Sequence, residues 1–391
     1  MKEVLETLIL INKKNLIDRL VASGYAFAAW KKPGDNHNNL IVSLDGCSQL
    51  SGYEIADLKT GFLINDYKDA HPTFPFHIQA DLIIKEEHLE ISPTVNDTKL
   101  DSFLKAIQEV ETSKPIDKKS SIELSNSDKN EFENLVSEAV NQIRESKFEK
   151  VVVSNYREDE LPEDFSVWNY FKLLSDSYPN AFCSLTFVPG KGIWVGATPE
   201  LLISDNTDCF KTVALAGTKK LEENQPLNKI AWTQKEIEEQ AFVSRYVVNC
   251  FKKLRLREFH EHGPKTIKAG DLAHLKTAFE VKYDEVSFDR LSDQMLELLH
   301  PTSAVCGMPV EQTKPWIAEH ESYDREFYSG FLGPVNYENS TDLFVNLRCA
   351  KVDKGVIRFY AGAGITEDSN SAKEFEETEI KINVLRNLLK R

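Results

Sequence analysis

The sequence contains no cluster of basic residues. Its 391 residues include 47 Lys and Arg against 62 Asp and Glu, which gives a formal net charge of −15. Nucleic acids and anionic membranes are bound by clustered Lys and Arg side chains, so we expect neither of them as a partner. An anionic small molecule is still compatible with this composition, because it needs only a locally positive pocket.

Paired cysteines and long apolar runs are also missing. The six cysteines are scattered without a C-x-x-C pair, which disfavours a zinc site or a disulfide framework. The apolar run "LILI" near the start is too short for a membrane span, and its charged surroundings are too polar for a secretory signal. We therefore expect a cytoplasmic protein with reduced thiols and no membrane association.

The pattern of apolar residues indicates helices mixed with many strands. A hydrophobic content of 41% is typical of a packed core. Residues 1–20 have the pattern of an amphipathic helix, and "KVVVSNYR" at 150–157 has that of a buried strand. Helical spacing recurs at about 229–255 and 370–390, with several strand-like segments between. The mixture favours an α+β fold, a layered α/β sandwich with large, mostly antiparallel sheets, over a doubly wound fold.

The stretch 111–130 is the least hydrophobic part of the chain and is rich in Ser, Lys and Asp. We expect an exposed connection there, between an N-terminal and a C-terminal portion. A helix start follows directly. Asp128 and Glu131 have the spacing of a capping box, and apolar residues from Phe132 onward recur at helical spacing.

Two predicted helices each carry a pair of glutamates on one face. Glu374 and Glu377 in "KEFEET" are three residues apart, and Glu236 and Glu239 in "KEIEEQ" have the same spacing. Such pairs most often form a solvated helix face. If the two pairs face each other, their oxygens instead provide the ligands that Mg²⁺ prefers. Both interpretations stay open at the level of sequence.

Four single residues have side chains suited to catalysis or to anion binding. Lys150 opens the "KVVVSN" strand, where it either extends to water or acts as a base if burial lowers its pKa. Glu200 follows a proline and is either exposed at an edge or buried with the raised pKa that a general acid needs. Arg348 lies within the apolar strand "LFVNLRCAKV" and either binds a ligand carboxylate or forms a structural ion pair. His274 either orients a ligand or satisfies a core hydrogen bond.

Two glycines precede the last predicted helix. Gly362 and Gly364 in "FYAGAGI" lie between a predicted strand and the start of that helix. Small residues there allow backbone N–H groups to approach an anion at a helix N-terminus. A tight turn between strand and helix is the simpler interpretation of a G-x-G pattern taken alone.

The ordered segments resemble those of the chorismate-utilising enzymes, and most closely those of the isochorismate synthases. The resemblance implies the fold of anthranilate synthase component I. It also implies a variable N-terminal portion at 1–110 within the same sandwich, the connection at 111–130, and a chorismate-binding catalytic portion at 131–391. The matching segments are "KVVVS", "GATPELL", "ALAGT", "KEIEEQ", "HLKTAFE", "LLHPTSAVCGMP", "YDREFYSGFLG", "NLRCAK", "FYAGAGI" and "KEFEET".

The resemblance implies a reaction and two catalytic residues. Isochorismate synthases add water at C2 of chorismate with loss of the hydroxyl group at C4. The lysine of "KVVVS" is the general base of this family, so Lys150 is expected to take a proton from the attacking water. The glutamate of "PELL" is the general acid, so Glu200 is expected to protonate the departing hydroxyl group.

Metal and substrate ligands are implied in the same way. Glu239 and Glu377 are expected to bind Mg²⁺ directly, with Glu236 and Glu374 supporting it through water, and the metal holds a substrate carboxylate. Nine further residues are assigned to the chorismate pocket by the resemblance. They are Gly217, Thr218, His274, Thr277, Arg348, Tyr360, Gly362, Gly364 and Lys381.

Two positions separate this reaction from those of related enzymes. Aminodeoxychorismate synthases have a nucleophilic lysine where this chain has Ala216, and anthranilate synthases usually have glutamine where it has Lys150. Water is therefore the expected nucleophile. Asn155, Gln240 and Val281 depart from the usual family residues, which affects the expected details of the pocket more than the reaction class.

Two other functions stay open. A salicylate synthase forms isochorismate and then eliminates pyruvate, and it resembles this chain in its base, acid and metal ligands. A catalytically silent chorismate-binding protein would bind without turnover. The sequence does not indicate whether a product enters menaquinone or siderophore biosynthesis. We expect a monomer, because the active site of the family lies within one chain.

Overall fold

The computed structural model describes residues 13–67, 74–86, 88–110, 124–221, 225–269 and 272–389. Strands make up the two main layers of the molecule, and helices pack outside them. In chain order the described strands are β1 (Phe27–Lys31), β2 (Asn39–Val42), β3 (Cys47–Gln49), β4 (Gly61–Asn65), β5 (Phe76–Gln79), β6 (Leu82–Lys85), β7 (His88–Ile91), β8 (Lys150–Glu160), β9 (Phe182–Val188), β10 (Gly192–Thr198), β11 (Leu201–Asn206), β12 (Cys209–Lys220), β13 (His260–Ala269), β14 (Leu272–Lys282), β15 (Gly307–Met308), β16 (Phe331–Val335), β17 (Ser340–Val345), β18 (Cys349–Asp353) and β19 (Val356–Ile365). The described α-helices are α1 (Lys13–Ala22), α2 (Asp97–Glu109), α3 (Lys129–Arg144), α4 (Val167–Ser177), α5 (Gln234–Lys253), α6 (Leu291–Leu299), α7 (Val310–His320) and α8 (Ser371–Leu389).

These strands form two large sheets. The first sheet has ten strands in the order β15-β8-β19-β18-β10-β9-β1-β2-β6-β7. The second has nine in the order β13-β14-β12-β11-β17-β16-β4-β5-β3. Their longest pairs, β8 with β19 and β12 with β14, are antiparallel. The predicted α+β sandwich is therefore confirmed, and a doubly wound parallel sheet is not what the chain forms.

Apolar layers hold the sheets and helices together. Aromatic side chains fill the space between the sheets, where the rings of Phe182 on β9 and Phe344 on β17 stack with centroids 4.1 Å apart. The outer face of the first sheet packs on α1, α2, α4 and α8. The outer face of the second packs on α5 and α6, and the same cluster extends to α3 and α7 beside β8. Removal of these apolar faces from water is the main driving force for the fold.

Local sequence signals place several element boundaries correctly. The helix expected after residue 130 is α3, and the carboxylate of Asp128 caps it by accepting from the amides of Asn130 at 2.7 Å and Glu131 at 3.1 Å. The two long helices expected at about 229–255 and 370–390 are α5 and α8. The strand expected at "KVVVSNYR" is the first part of β8.

Two segments that resemble single strands are interrupted where the chain passes between the sheets. "GIWVGATPELLIS" forms β10 in the first sheet and β11 in the second, with Pro199 and Glu200 between them. "LFVNLRCAKV" passes from β17 in the second sheet to β18 in the first, with Arg348 between them. The prediction that Arg348 lies within a strand is therefore wrong. Its φ of +47° lies in the left-handed region, which interrupts an extended backbone.

Some predictions fall partly on residues outside the described ranges. The helix expected at 1–20 is present as α1, while residues 1–12 lie outside. Of the connection expected at 111–130, residues 111–123 lie outside as well. The division into portions at 1–110 and 131–391 stays a prediction. Within the described ranges, no helix combines the length and apolar character that crossing a bilayer requires.

Candidate active site

The two crossings between the sheets lie side by side. The hydroxyl group of Thr198 donates to the carbonyl of Val345 at 2.7 Å, and the amide of Val345 donates to the carbonyl of Glu200 at 3.0 Å. The amide of Ala197 donates to the carbonyl of Arg348 at 2.9 Å. These bonds fix the backbones of both crossings, and the side chains of Glu200 and Arg348 line one cavity.

This cavity joins side chains from both sheets and from two helices. The cavity has a volume of about 100 Å³. That is room for several water molecules, which suits a small ligand. The site residues predicted from the sequence that line it are Lys150, Glu200, Gly217, Glu239, His274, Arg348, Gly362, Gly364, Glu377 and Lys381.

Lys150 begins β8, and its side chain lies over Gly364 of the neighbouring strand β19. A Cβ atom at position 364 would stand 2.8 Å from Cε of Lys150 and 3.3 Å from its Nζ. The lysine can hold this position only because residue 364 has no side chain. Gly362 and Gly364 both lie within β19, which continues to Ile365. Of the two interpretations of the G-x-G pattern, a tight turn into the last helix is therefore not what the chain forms.

An ion pair that is almost completely buried fixes β8 beside the cavity. Arg325 donates to both carboxylate oxygens of Glu321, at 2.7 and 2.6 Å, and to the carbonyl of Val152 at 2.8 Å. The same carboxylate accepts from the amide of Ser154 at 2.7 Å and from its hydroxyl at 2.8 Å. Charged hydrogen bonds of this kind are geometrically specific. They hold the strand that carries Lys150, and neither Glu321 nor Arg325 is among the site residues that the sequence predicts.

Burial shifts the pKa values of Lys150 and Glu200 in opposite directions. The two residues are 3% and 4% exposed. Burial raises the pKa of Glu200 from 4.5 to about 8, against the opposing charges of Lys150 and Arg348. Burial lowers the pKa of Lys150, against the attraction of Glu239. At neutral pH Glu200 carries a proton, and Lys150 loses its proton more easily than a solvated lysine does.

Two carboxylates and an ammonium group from α5 and α8 face the same cavity. Nζ of Lys381 lies 2.6 Å from Oε1 of Glu377 and donates to the carbonyl of Gly362 at 2.8 Å. Burial raises the pKa of Glu239, and the negative charge of Glu377 adds to that rise. Glu239 on α5 and Glu377 on α8 line one cavity. One glutamate of each predicted pair thus faces the cavity, and their role as Mg²⁺ ligands stays a prediction.

His274 satisfies a buried hydrogen bond and also lines the cavity, while its role in orienting a substrate stays a prediction. Its Nδ1 is 2.8 Å from the carbonyl of Gly217, which can only accept, so Nδ1 carries the proton. Burial lowers the pKa of His274 to about 4, which makes the ring neutral at neutral pH. Gly217 has a φ of +71°, and a Cβ atom there would stand 3.2 Å from Cβ of Glu236. The ring therefore satisfies a buried carbonyl and also lines the cavity.

Some predicted substrate ligands lie away from the cavity. The ring of Tyr360 is enclosed by stacking on Trp194 and Tyr328, with centroids 5.5 and 5.2 Å away. The hydroxyl of Thr277 accepts from Nε2 of Gln240 at 2.9 Å in the layer under α5. Neither residue is among those that line the cavity. The side chain of Thr218 lies outside the described part of the structure.

The two supporting glutamates have partners of their own. The carboxylate of Glu236 accepts from the amide of Thr233 at 2.6 Å and caps α5. The carboxylate of Glu374 is 2.6 Å from Nζ of Lys235. Glu376, next along α8, is exposed, as expected for a solvated charge. Among the described residues, no three His, Cys, Asp or Glu side chains lie close enough together to hold a metal ion.

Apolar walls complete the cavity. They are formed by Val152, Leu215, Ala304 and Leu347, none of which the sequence singled out. A sequence signal for them is lacking in principle, because an apolar residue that lines a cavity has the same pattern as one in the core. Ala304 belongs to the segment "LLHPTSAVCGMP", which resembles the family, but nothing in that segment marks it as a cavity residue. These walls limit the access of water to the charged groups.

Comparison with known proteins identifies a family. Residues 75–390 match the family described as chorismate binding enzyme. Isochorismate synthase EntC of Escherichia coli is 31% identical over 203 residues, which are 50% of this chain and 51% of that protein. The match thus spans about half the length of this relative.

Solved structures share the fold over nearly the whole chain. MenF, the menaquinone-specific isochorismate synthase of Escherichia coli, superposes with a TM-score of 0.76 at 20% identity, over 95% of this chain and 91% of that one. Anthranilate synthase component I of Streptococcus pneumoniae gives 0.66 at 18% identity, over 92% and 89%. The predicted anthranilate synthase component I-like fold is confirmed. Because the family match extends over most of its length, the chain belongs to the chorismate-binding enzymes.

Proposed function

We propose that this protein converts chorismate into isochorismate, with Lys150 as general base and Glu200 as general acid. The observation that carries the proposal is the pair of opposed pKa shifts of these two buried side chains in one cavity. Adding water at one ring carbon while another loses its hydroxyl group needs one group that accepts a proton and one that donates it. The likeness to proteins named isochorismate synthases supports the same reaction.

The proton transfers balance within one turnover. Lys150 takes a proton from a water molecule as the oxygen of that water forms a bond with C2. The ring double bonds shift, the bond between C4 and its hydroxyl oxygen breaks, and Glu200 gives its proton to the leaving oxygen. One water enters and one leaves, so the net reaction is an isomerisation. A proton then returns from Lys150 to Glu200, directly or through water, and restores both groups.

Positive side chains would hold the two carboxylates of the substrate. Arg348 and Lys381 both face the cavity. A guanidinium group binds a carboxylate through two parallel hydrogen bonds, which fixes the orientation of the ring as well as its position. The neutral ring of His274 adds no further charge at neutral pH. All of these residues come from one chain, so we propose that a monomer is active.

The proposal includes Mg²⁺, held directly by Glu239 and Glu377 and through water by Glu236 and Glu374. These carboxylates offer the oxygen donors that Mg²⁺ prefers. Two of them already have cationic partners, because Nζ of Lys235 lies 2.6 Å from Oε1 of Glu374 and Nζ of Lys381 lies 2.6 Å from Oε1 of Glu377. When bound, Mg²⁺ would neutralise one substrate carboxylate and help to orient the ring.

Product analysis tests the reaction directly. Purified protein is incubated with chorismate and Mg²⁺, and the products are separated by chromatography and identified by mass. Isochorismate alone supports the proposal. Salicylate with an equal amount of pyruvate would replace it with a salicylate synthase. Chorismate that binds by calorimetry but stays unchanged, over a range of pH and metal concentration, would indicate a silent binding protein.

A further inference from the structure

The start of β8 is bordered by short stretches of sheet. Among the described residues, the ladder between β8 and β19 reaches Val151 but not Lys150. On the other side, β15 is two residues long and pairs with Lys150 and Val151. Beyond β15, β8 is at the edge of its sheet. The backbone groups of Val152 and Ser154 that face this edge therefore need partners other than a strand.

The side chains of Glu321 and Arg325 are those partners. Arg325 donates to the carbonyl of Val152 at 2.8 Å, and Glu321 accepts from the amide of Ser154 at 2.7 Å. The two side chains are joined to each other by hydrogen bonds of 2.7 and 2.6 Å, and they are 3% and 1% exposed. The pair thus presents one donor and one acceptor to β8, as a peptide group of a neighbouring strand would.

The guanidinium group of Arg325 also bonds to the segment that leads into β15. It donates to the carbonyl of Val305 at 2.9 Å, and Val305 directly follows the cavity wall residue Ala304. The ring of Tyr67 covers the group, with its centroid 4.4 Å from Cζ. Arg325 therefore joins the strand that begins with Lys150 to one wall of the cavity.

We propose that Glu321 and Arg325 are positioning residues, whose ion pair fixes the start of β8 and thereby the place of the Lys150 side chain in the cavity. The inference rests on the proposed function, because it takes Lys150 as the general base. Neither member of the pair is among the residues that line the cavity, so both act through the strand. A general base has to lie within hydrogen-bond reach of the water that it deprotonates, which makes its position decisive for turnover.

The geometry of the guanidinium group is what this task requires. Two parallel hydrogen bonds to a carboxylate fix the orientation of both groups, and the other N–H groups of the planar fork then point in fixed directions. A lysine in place of Arg325 would have one ammonium group on a flexible stem. It could not bond to Glu321, Val152 and Val305 with the same geometry, although it would keep the charge.

Steady-state kinetics of Arg325→Lys with chorismate and Mg²⁺ tests this role. We expect kcat to fall about 100-fold, as for a misplacement of about 1 Å. The KM for chorismate should change by less than about threefold, because the proposed carboxylate ligands Arg348 and Lys381 lie outside β8. The matched control is Arg358→Lys, since Arg358 on β19 pairs at 2.6 Å with Glu158 near the far end of β8. The control should keep kcat within about twofold.

Hydrogen exchange measured by mass spectrometry shows whether the loss arises at the start of β8. Peptides that span 149–154 should exchange their amide hydrogens faster in Arg325→Lys than in wild type, and at the wild-type rate in the control. A double variant, Glu321→Met with Arg325→Met, leaves no unpaired charge buried and is therefore expected to fold even if the single variant does not. It should lose kcat to the same extent.

The outcomes separate this inference from the proposed function. Turnover near the wild-type rate in Arg325→Lys or in the double variant would overturn the positioning role and leave the reaction in place. A fall in kcat without faster exchange at 149–154, or an equal fall in Arg358→Lys, would also overturn it, because the loss would then have another origin. Chorismate left unchanged by the wild type would remove the reaction, and the role of the pair with it.

Discussion

Replacing Glu200 with glutamine should stabilise the folded protein while abolishing turnover. An amide has nearly the shape of a protonated carboxyl group, but it has no acidic proton to give to the departing hydroxyl. In wild type, the folded state keeps a proton on Glu200 that the unfolded chain releases above its ordinary pKa of 4.5. When folding raises the pKa of an acid, the folded protein loses stability as the pH rises from the pKa of the unfolded state to the pKa of the folded state. Glutamine removes this loss.

The size of the effect follows from the pKa shift. The rise from 4.5 to about 8 corresponds to about 5 kcal/mol, at about 1.36 kcal/mol per unit. Only the part of this interval below the working pH contributes, so the loss at neutral pH is about 3 kcal/mol. Below the unfolded pKa both states keep the proton, and the variant gains nothing from this source.

Urea denaturation of the two proteins at about pH 5 and about pH 8 measures this effect as a change in the gap between their free energies of unfolding. The packing difference between amide and carboxyl is the same at both pH values and cancels. The gap in favour of Glu200→Gln should grow by about 3 to 4 kcal/mol between them. The exposed Glu376 provides a matched control, and the gap for Glu376→Gln should stay within about 0.5 kcal/mol. A constant gap for Glu200→Gln would mean that Glu200 is ionised in the folded protein, which would remove it as the general acid.

Three further predictions concern the lysine and the metal. Lys150→Ala should abolish isochorismate formation with a near-normal urea midpoint, and turnover at the wild-type rate would exclude it as the base. Gly364→Ala places a methyl group 2.8 Å from Cε of Lys150, so turnover should fall about 100-fold, as for a misplacement of about 1 Å. Because the flexible lysine can yield, the same variant should lose less than about 1 kcal/mol of stability, and unchanged kinetics would show that the lysine works elsewhere. Excess chelator should stop turnover and added Mg²⁺ should restore it; full activity in chelator would remove the metal from the proposal.

Features with a local cause could be predicted from the sequence. Helix α3 begins where an aspartate caps it, and β8 forms where β-branched residues follow one another. The glutamates of α5 and α8 have a spacing that depends only on helix geometry, so their common faces were predictable. That Glu239 and Glu377 line one cavity was not predictable, because it depends on how two helices far apart in sequence pack against the sheets.

Features at the crossings between the sheets could not be predicted from periodicity. The residues before and after Pro199 have the same apolar pattern, and so do those around Arg348, so each segment reads as one strand. The change of sheet depends on contacts with strands distant in sequence, which determine where a ladder ends. The same holds for Lys235, whose partner lies on another helix, and for Gly364, whose lack of a side chain matters only because Lys150 lies over it.

The crossings explain how an uncompensated acid can be buried and still be held rigidly. A loop residue with free backbone groups would be costly inside a protein, since unpaired N–H and C=O groups lose their bonds to water. Here the backbones on either side of Glu200 and Arg348 bond to each other in the manner of a sheet, although both chains are leaving their strands. Side chains at such a point do not have to pack against those of a neighbouring strand. They can face a cavity in which burial keeps Glu200 protonated and favours loss of the proton from Lys150, so one physical cause, removal from water, prepares both the acid and the base.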